Sequence, residues 1–195
     1  MYIELIFLWI LFYGTHSLLA SSIVKLWVSV NAPSWVAPYR VFYNLVSVAL
    51  FLWAFWVQKG IAEPAYFSVL WLQYLGYFLM AFGAVLSYLS FKNYSLQEFS
   101  GLSQLRNKSF NAAISEELKI LGLNQYVRHP LYTASYLIFI GYFLYKPCLG
   151  SAIFSILGAV YLYVGAKWEE QKLVAQFGQA YIEYQKQVPM FVPFI

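Results

Sequence analysis

"PLYTASYLIFIGYFLYKPCLGSAIFSILGAVYLYVGAK", residues 130 to 167, decides the fold class. Between Leu131 and Ala166 the one charge is Lys146, and it sits with Pro147 and Cys148 where a tight turn is expected. The flanking runs, about Leu131 to Tyr145 and about Leu149 to Ala166, read as two membrane helices joined into a hairpin, because crossing the hydrocarbon core takes roughly 20 apolar residues, fewer or more with tilt. Working outward, three more runs meet the same requirement, from about Leu5 to Val24, Val41 to Val57 and Tyr66 to Leu89. The expected fold is all-α: a polytopic membrane protein with about five transmembrane helices and a C-terminal amphipathic helix, without a Rossmann sheet.

Composition agrees. Of 195 residues, 62% are hydrophobic, 22% aromatic and only 10% charged, whereas a soluble domain carries about 25% charged residues. No linker-like or low-complexity tract divides the chain, so 1–195 is expected to be a single domain. Its parts are three N-terminal membrane helices within 1–91, a polar segment over 92–130, the hairpin over 131–166, and an amphipathic helix and tail over 167–195. The first run lacks the basic start of a cleaved signal peptide, since no Lys or Arg precedes Lys25, and it is read as a membrane helix.

Lys and Arg accumulate in cytoplasmic loops. Ten of the twelve here fall on one side of the five-helix arrangement, with Lys59 and Lys146 on the other. The N-terminus is therefore expected outside a bacterial-type inner membrane, and the C-terminus with the 92–130 segment in the cytosol. Trp53, Trp56 and Trp71 fit an interfacial belt near the opposite surface. A net charge of +4 suits anionic lipid and nothing more specific. Neither a nucleic acid nor an obligate protein partner is implied. The lone Cys148 allows no internal disulfide and no thiolate metal cluster, the chain has no Asp, and glycine-rich phosphate cradles are absent. No metal site is expected.

Polar residues concentrate in few places. Part of Asn93 to Tyr126 reads as an interfacial helix. Beyond the fifth helix, Leu173, Phe177, Tyr181, Tyr184 and Val188 recur at three- and four-residue spacing, an apolar stripe that Pro189 ends. Pro130 suits a first helical turn, where its missing N–H costs nothing. Because the hairpin folds back, Arg128 and His129 fall at the same depth as Glu169 and Glu170, and ionisable groups there mark a candidate site. His16, inside the first helix with Gly14 and Ser17 nearby, reads either as a residue that deprotonates or orients an acceptor or as a histidine bonded to a neighbouring helix. Arg40, with Tyr43 and Asn44 at the start of the second helix, is a second catalytic candidate or an interfacial anchor. Gly76 and Gly83, a heptad apart, read as a close helix contact.

"RHPLY" at 128–132, followed by "EEQKLVAQFGQAYIEYQKQVPMFVP" from Glu169, resembles the paired signature of the integral-membrane methyltransferases, the isoprenylcysteine carboxyl and phospholipid methyltransferase type. Arg128, His129, Pro130 and Tyr132 match its first motif; Glu169, Glu170, Leu173, Phe177, Gly178, Tyr181 and Tyr184 match its second. Gly122 also fits, while Asn124 and Ala134 stand where the pattern often has Tyr and Gly. "THSLLASSIVK", "YRVFYN" and "NYSLQEFSGLSQL" are similar to the bacterial methanethiol S-methyltransferase branch.

The resemblance implies an S-adenosylmethionine-dependent enzyme that methylates a small or lipophilic acceptor, a thiol ahead of an isoprenylcysteine carboxylate. The cofactor would lie among Arg128, His129, Pro130, Tyr132, Glu169 and Glu170. Arg128 would meet its carboxylate, and Glu170, or second Glu169, its ammonium or ribose. The plainer alternative is an Arg128–Glu170 ion pair that only clips the hairpin together. Two other readings stay open: a haem-binding isomerase-like protein using His16 and His129, which similarity to a related membrane-protein family suggests, and a non-catalytic lipid-binding membrane subunit.

Overall fold

The structure, a computed structural model, describes residues 1–91, 102, 105, 118 and 120–193. Every regular element among them is helical. In chain order these are α1 (Tyr2–Ala20), α2 (Ser22–Asn31), a 3-10 turn (Pro33–Trp35), α3 (Tyr39–Gly60), α4 (Leu70–Phe91), a second 3-10 turn (Gly122–Gln125), α5 (Pro130–Tyr145), α6 (Leu149–Phe177) and α7 (Gln179–Gln187). They divide between two compact units, one built on Met1–Ala62 and the other on α4 to α7. The segment from Asn93 to Tyr126, expected in part as an interfacial helix, lies outside the described residues except for 102, 105, 118 and 120–126, the last of which include the second 3-10 turn; Lys92, Arg106, Lys108 and Lys119 all lie outside.

In the first unit, the run expected over 5–24 breaks at Ser21. Ser21 takes extended geometry and caps α2, its hydroxyl accepting from the Val24 amide at 3.3 Å, which satisfies a donor the helix leaves open. α1 and α3 run antiparallel. The Trp9 indole donates to Gln58 Oε1 at 3.1 Å near one end, His16 meets Ser47 midway, and the Tyr39 hydroxyl donates to the Leu19 carbonyl at 2.9 Å near the other. Trp9 and Gln58 are fully buried, so this polar pair is satisfied within the unit, as burial of amide and indole requires.

In the second unit, α4 and α5 touch backbone to backbone. A Cβ on Gly76 would stand 2.6 Å from the Gly141 carbonyl oxygen, and one on Gly83 would stand 2.7 Å from that of Ala134. The heptad of small residues read from the sequence is thus a notch that admits α5, as small residues do between membrane helices. α5 then turns through Lys146 and Pro147 into α6. Pro disfavours helix at the residue before it, and Lys146 has left helical geometry at φ −127°, ψ 80°. The hairpin is rung by hydrogen bonds from the Tyr136 hydroxyl to the Ala159 carbonyl at 3.0 Å and from Ser155 Oγ to the Phe139 carbonyl at 2.9 Å.

Four helices, α1, α3, α4 and α6, are long and apolar enough to cross a membrane. Phe7, Trp56, Phe78 and Ile156 on them stand mostly exposed, apolar surface that suits lipid; the protein is an integral membrane protein. α5, expected as a membrane helix from about Leu131 to Tyr145, spans Pro130–Tyr145, 16 residues, and measures about 24 Å at 1.5 Å per residue. That is less than the roughly 30 Å core, because Pro130 and Pro147 fix its two ends. α6 differs in the other direction. Its 29 residues run on through the first part of the expected amphipathic helix to Phe177. Gly178, at φ +57° and ψ −129°, then separates it from α7, in a region of backbone space open to Gly and strained for other residues.

Candidate functional site

The polar end of the second unit is assembled from the approach to α5, the last turns of α6, and α7 with its tail. Arg128 and His129 precede α5, and their amides donate to the Pro189 and Met190 carbonyls at 2.9 and 3.1 Å. One turn on, Thr133 Oγ1 donates to the Phe191 carbonyl at 2.8 Å. Pro130 takes the first helical position, where no amide is needed. Asn124, at a position where the family pattern often has Tyr, donates its side-chain amide to the Arg128 carbonyl at 3.1 Å, and its own carbonyl accepts from the Tyr184 hydroxyl. The Arg128 main chain is thus held by the 3-10 turn on one side and by the tail on the other.

The side chains continue the same network. Arg128 Nε donates to Glu170 Oε1 at 2.6 Å, and its Nη1 donates to the Gln185 carbonyl at 3.0 Å and to that of Val188. Glu170 Oε1 also lies 3.3 Å from His129 Nε2, and Oε2 accepts from Gln185 Nε2 at 3.0 Å. Both charged side chains are nearly buried, at 10% and 6% exposure. Glu169 behaves differently. Successive helical residues point about 100° apart, and this carboxylate is 49% exposed, with Oε2 accepting from the Tyr132 hydroxyl at 3.1 Å and lying 3.7 Å from His129 Nδ1. The His129 and Tyr132 rings stack at 5.3 Å with planes 9° apart.

Two atoms in this cluster are left over. Arg128 Nη2 and Glu169 Oε1 make no hydrogen bond among the described residues. A guanidinium edge and a carboxylate oxygen left open in one cluster suit a zwitterionic ligand, one carrying both an anionic and a cationic group. Tyr181 is buried behind them at 2% exposure. Burial, and next the negative charge of Glu170, push its hydroxyl above the ordinary tyrosine value, so it remains a protonated donor.

All six residues expected to bind a cofactor, Arg128, His129, Pro130, Tyr132, Glu169 and Glu170, therefore fall in one cluster of the second unit. The Arg128–Glu170 ion pair weighed as the plainer alternative is formed. His129 has each ring nitrogen facing a carboxylate, so an axial bond to haem iron would have to displace one of these contacts. The two catalytic candidates belong to the first unit. His16 Nδ1 lies 2.9 Å from Ser47 Oγ, with its ring 6.3 Å from those of Phe12 and Tyr43. Arg40 stands one turn before Tyr43 on α3, and its charge acts on the Tyr43 hydroxyl. Reading the sequence missed Gln185, Asn124 and Ser47. For Gln185 a signal existed, its place one turn beyond Tyr181 on the same helix; for Asn124 the signal was its departure from the family pattern four residues before Arg128, whose carbonyl it meets; for Ser47 the partner His16 comes from a distant segment, and nothing local marks it.

The sequence matches the family model described as Phospholipid methyltransferase over residues 71–180. Among curated proteins, it is 30% identical over 187 residues to a Methanethiol S-methyltransferase of Crocosphaera subtropica, covering 92% of this chain and 70% of that one. It is 29% identical over 196 residues to Methanethiol S-methyltransferase 2 of Bradyrhizobium diazoefficiens, covering 94% and 70%. A shorter match, 40% identical over 73 residues, covers 36% of this chain and 26% of a Methanethiol S-methyltransferase of Pseudomonas sp.. No solved structure matches significantly.

Proposed function

The chain belongs to the phospholipid methyltransferase family and is an integral-membrane methyltransferase, and from that premise we propose that it moves the methyl group of S-adenosylmethionine to a small or lipophilic thiol. The thiol comes from the relatives, whose names specify methanethiol. An isoprenylcysteine-type carboxylate is the next acceptor class to try. The observation that carries the cofactor assignment is the pair of open atoms, Arg128 Nη2 and Glu169 Oε1, beside a closed Arg128–Glu170 contact.

In this reading Glu170, His129 and Gln185 hold the Arg128 guanidinium in place. Arg128 offers its free edge to the cofactor's carboxylate, and Glu169 takes the ammonium or a ribose hydroxyl. Tyr132, stacked on His129, keeps Glu169 oriented, and Pro130 fixes where α5 begins. S-adenosylmethionine supplies, when bound, a methyl already activated on a sulfonium, so binding and alignment give most of the acceleration. His16 takes the acceptor's proton, and Arg40 with Tyr43 orients the acceptor. We assign the polar cluster and the C-terminus to the cytosolic face of an inner membrane, the N-terminus to the outside, and residues 1–195 to one methyltransferase domain.

The test is calorimetric titration of detergent-solubilised protein with S-adenosylhomocysteine, followed by methylation assays on methanethiol, longer alkyl thiols, a prenylcysteine and phosphatidylethanolamine. Micromolar binding with turnover of thiols is expected. Absence of binding would overturn the cofactor assignment, and turnover of the carboxylate or the amine alone would overturn the acceptor.

A further inference from the structure

His16 and Ser47 face each other across α1 and α3, and their hydrogen bonds can be counted. Ser47 Oγ lies 2.8 Å from the Tyr43 carbonyl oxygen one turn back on α3, and 2.9 Å from His16 Nδ1. A serine hydroxyl has one hydrogen and two lone pairs. If that hydrogen goes to the Tyr43 carbonyl, Nδ1 must carry its own hydrogen and donate it to Oγ, and both contacts are hydrogen bonds. If it goes instead to Nδ1, the carbonyl contact is lost and the second ring nitrogen carries an N–H. His16 Nε2 has no hydrogen-bond partner among the described residues. The second arrangement therefore makes one bond in place of two and strands a donor, and a stranded N–H is rarer in proteins than an under-used acceptor.

We propose that Ser47 is a positioning residue that keeps the hydrogen of His16 on Nδ1, leaving the Nε2 lone pair to take the acceptor's proton. The bond made by one imidazole nitrogen sets which nitrogen is protonated, and here that bond runs through Ser47 to the backbone of α3. The rings of Phe12 and Tyr43, each 6.3 Å from that of His16, flank the imidazole and limit its rotation. The proposal rests on His16 acting in thiol methylation. In that reaction the thiol S–H bond breaks and its proton bonds to Nε2. The sulfur electron pair forms the new bond to the methyl carbon as that carbon's bond to the donor sulfur breaks, the donor leaves as a neutral thioether, and His16 returns the proton to water.

The experiment begins without a variant. The chain has two histidines, so full-length protein labelled with 15N in the histidine rings gives two imidazole spectra, which a His129→Gln sample assigns. At a pH where His16 is neutral, its hydrogen is expected on Nδ1, and Ser47→Ala should move it largely to Nε2. The same substitution should lower kcat for thiol methylation roughly tenfold, a modest part of what a positioned base supplies, with KM within about twofold; Ser47→Thr, which keeps the hydroxyl, should restore most of the rate. A hydrogen on Nε2 in the parent would overturn the proposal. So would Ser47→Ala that shifts the tautomer and leaves kcat unchanged. If the parent kept Nδ1 protonated and methylated no thiol, the acceptor reading alone would fall.

Discussion

Two adjacent glutamates illustrate how a single residue step along a helix, about 100°, separates support from contact. Glu170 is buried against Arg128, His129 and Gln185, and losing one partner of a buried pair costs about 3–5 kcal/mol because the other charge is left behind. Arg128→Ala is therefore expected to lower the Tm of the detergent-solubilised protein markedly and to abolish S-adenosylhomocysteine binding with it. Glu169 is half exposed and bonded through one oxygen. Glu169→Gln keeps a group able to accept from Tyr132 but removes the charge, so stability should stay within about 0.5 kcal/mol of the parent while affinity falls roughly tenfold, the low end for a hydrogen bond to a charged group. Thermal unfolding and calorimetry on the same samples separate the two effects. A Glu169→Gln variant that bound like the parent, with a Glu170→Gln variant that melted normally and bound poorly, would assign the cofactor's cation to Glu170 instead.

The helices were legible in the sequence where composition alone sets them, and less so where a single residue does. The hairpin turn, the start of α5 at Pro130 and the Gly76–Gly83 contact follow from the residues in place, because proline and glycine act locally. The break at Ser21 was not legible, since apolar residues flank it on both sides and its capping role depends on where α2 points. The division at Gly178 was hidden by the stripe from Leu173 to Val188, which keeps helical spacing across it. Three expectations follow. Gly83→Leu forces side-chain atoms into a gap where even a Cβ meets the Ala134 carbonyl at 2.7 Å, so α4 and α5 must part, a change typically costing 1–3 kcal/mol and lowering Tm. Gly14→Ala, with nothing within 4 Å of its added Cβ, should leave Tm unchanged or raise it. Gly178→Ala strains the backbone by about 1–3 kcal/mol. Since α7 and the residue after it bring Gln185 to Glu170 and the Val188 carbonyl to Arg128, the variant should also weaken S-adenosylhomocysteine binding, which calorimetry would show.

The short α5 bears on how many times the chain crosses the bilayer, and hence on which side its chemistry lies. Four crossings would put both termini on one face, five on opposite faces. α5 pairs with α6 along its whole length, from Tyr132 beside Glu169 to Lys146 beside Ser151. The turn at Lys146 therefore lies at the opposite end of α6 from the polar cluster. If α6 crosses, α5 must cross back, reaching with about 24 Å of helix what the flanking polar loop and a locally thinner bilayer complete. On that reading there are five crossings, and we propose the direction from the cations: ten of twelve Lys and Arg then fall on the side of the C-terminus, and cytoplasmic loops collect them. Alkaline phosphatase, active only outside the cytosol, should be active when fused at Lys146 and silent when fused after the last residue, where green fluorescent protein should fluoresce instead. Phosphatase activity at the C-terminus and none at Lys146 would reverse the orientation and place the Arg128–Glu169 cluster away from the cytosolic supply of S-adenosylmethionine. Activity at both positions would mean that α5 does not cross.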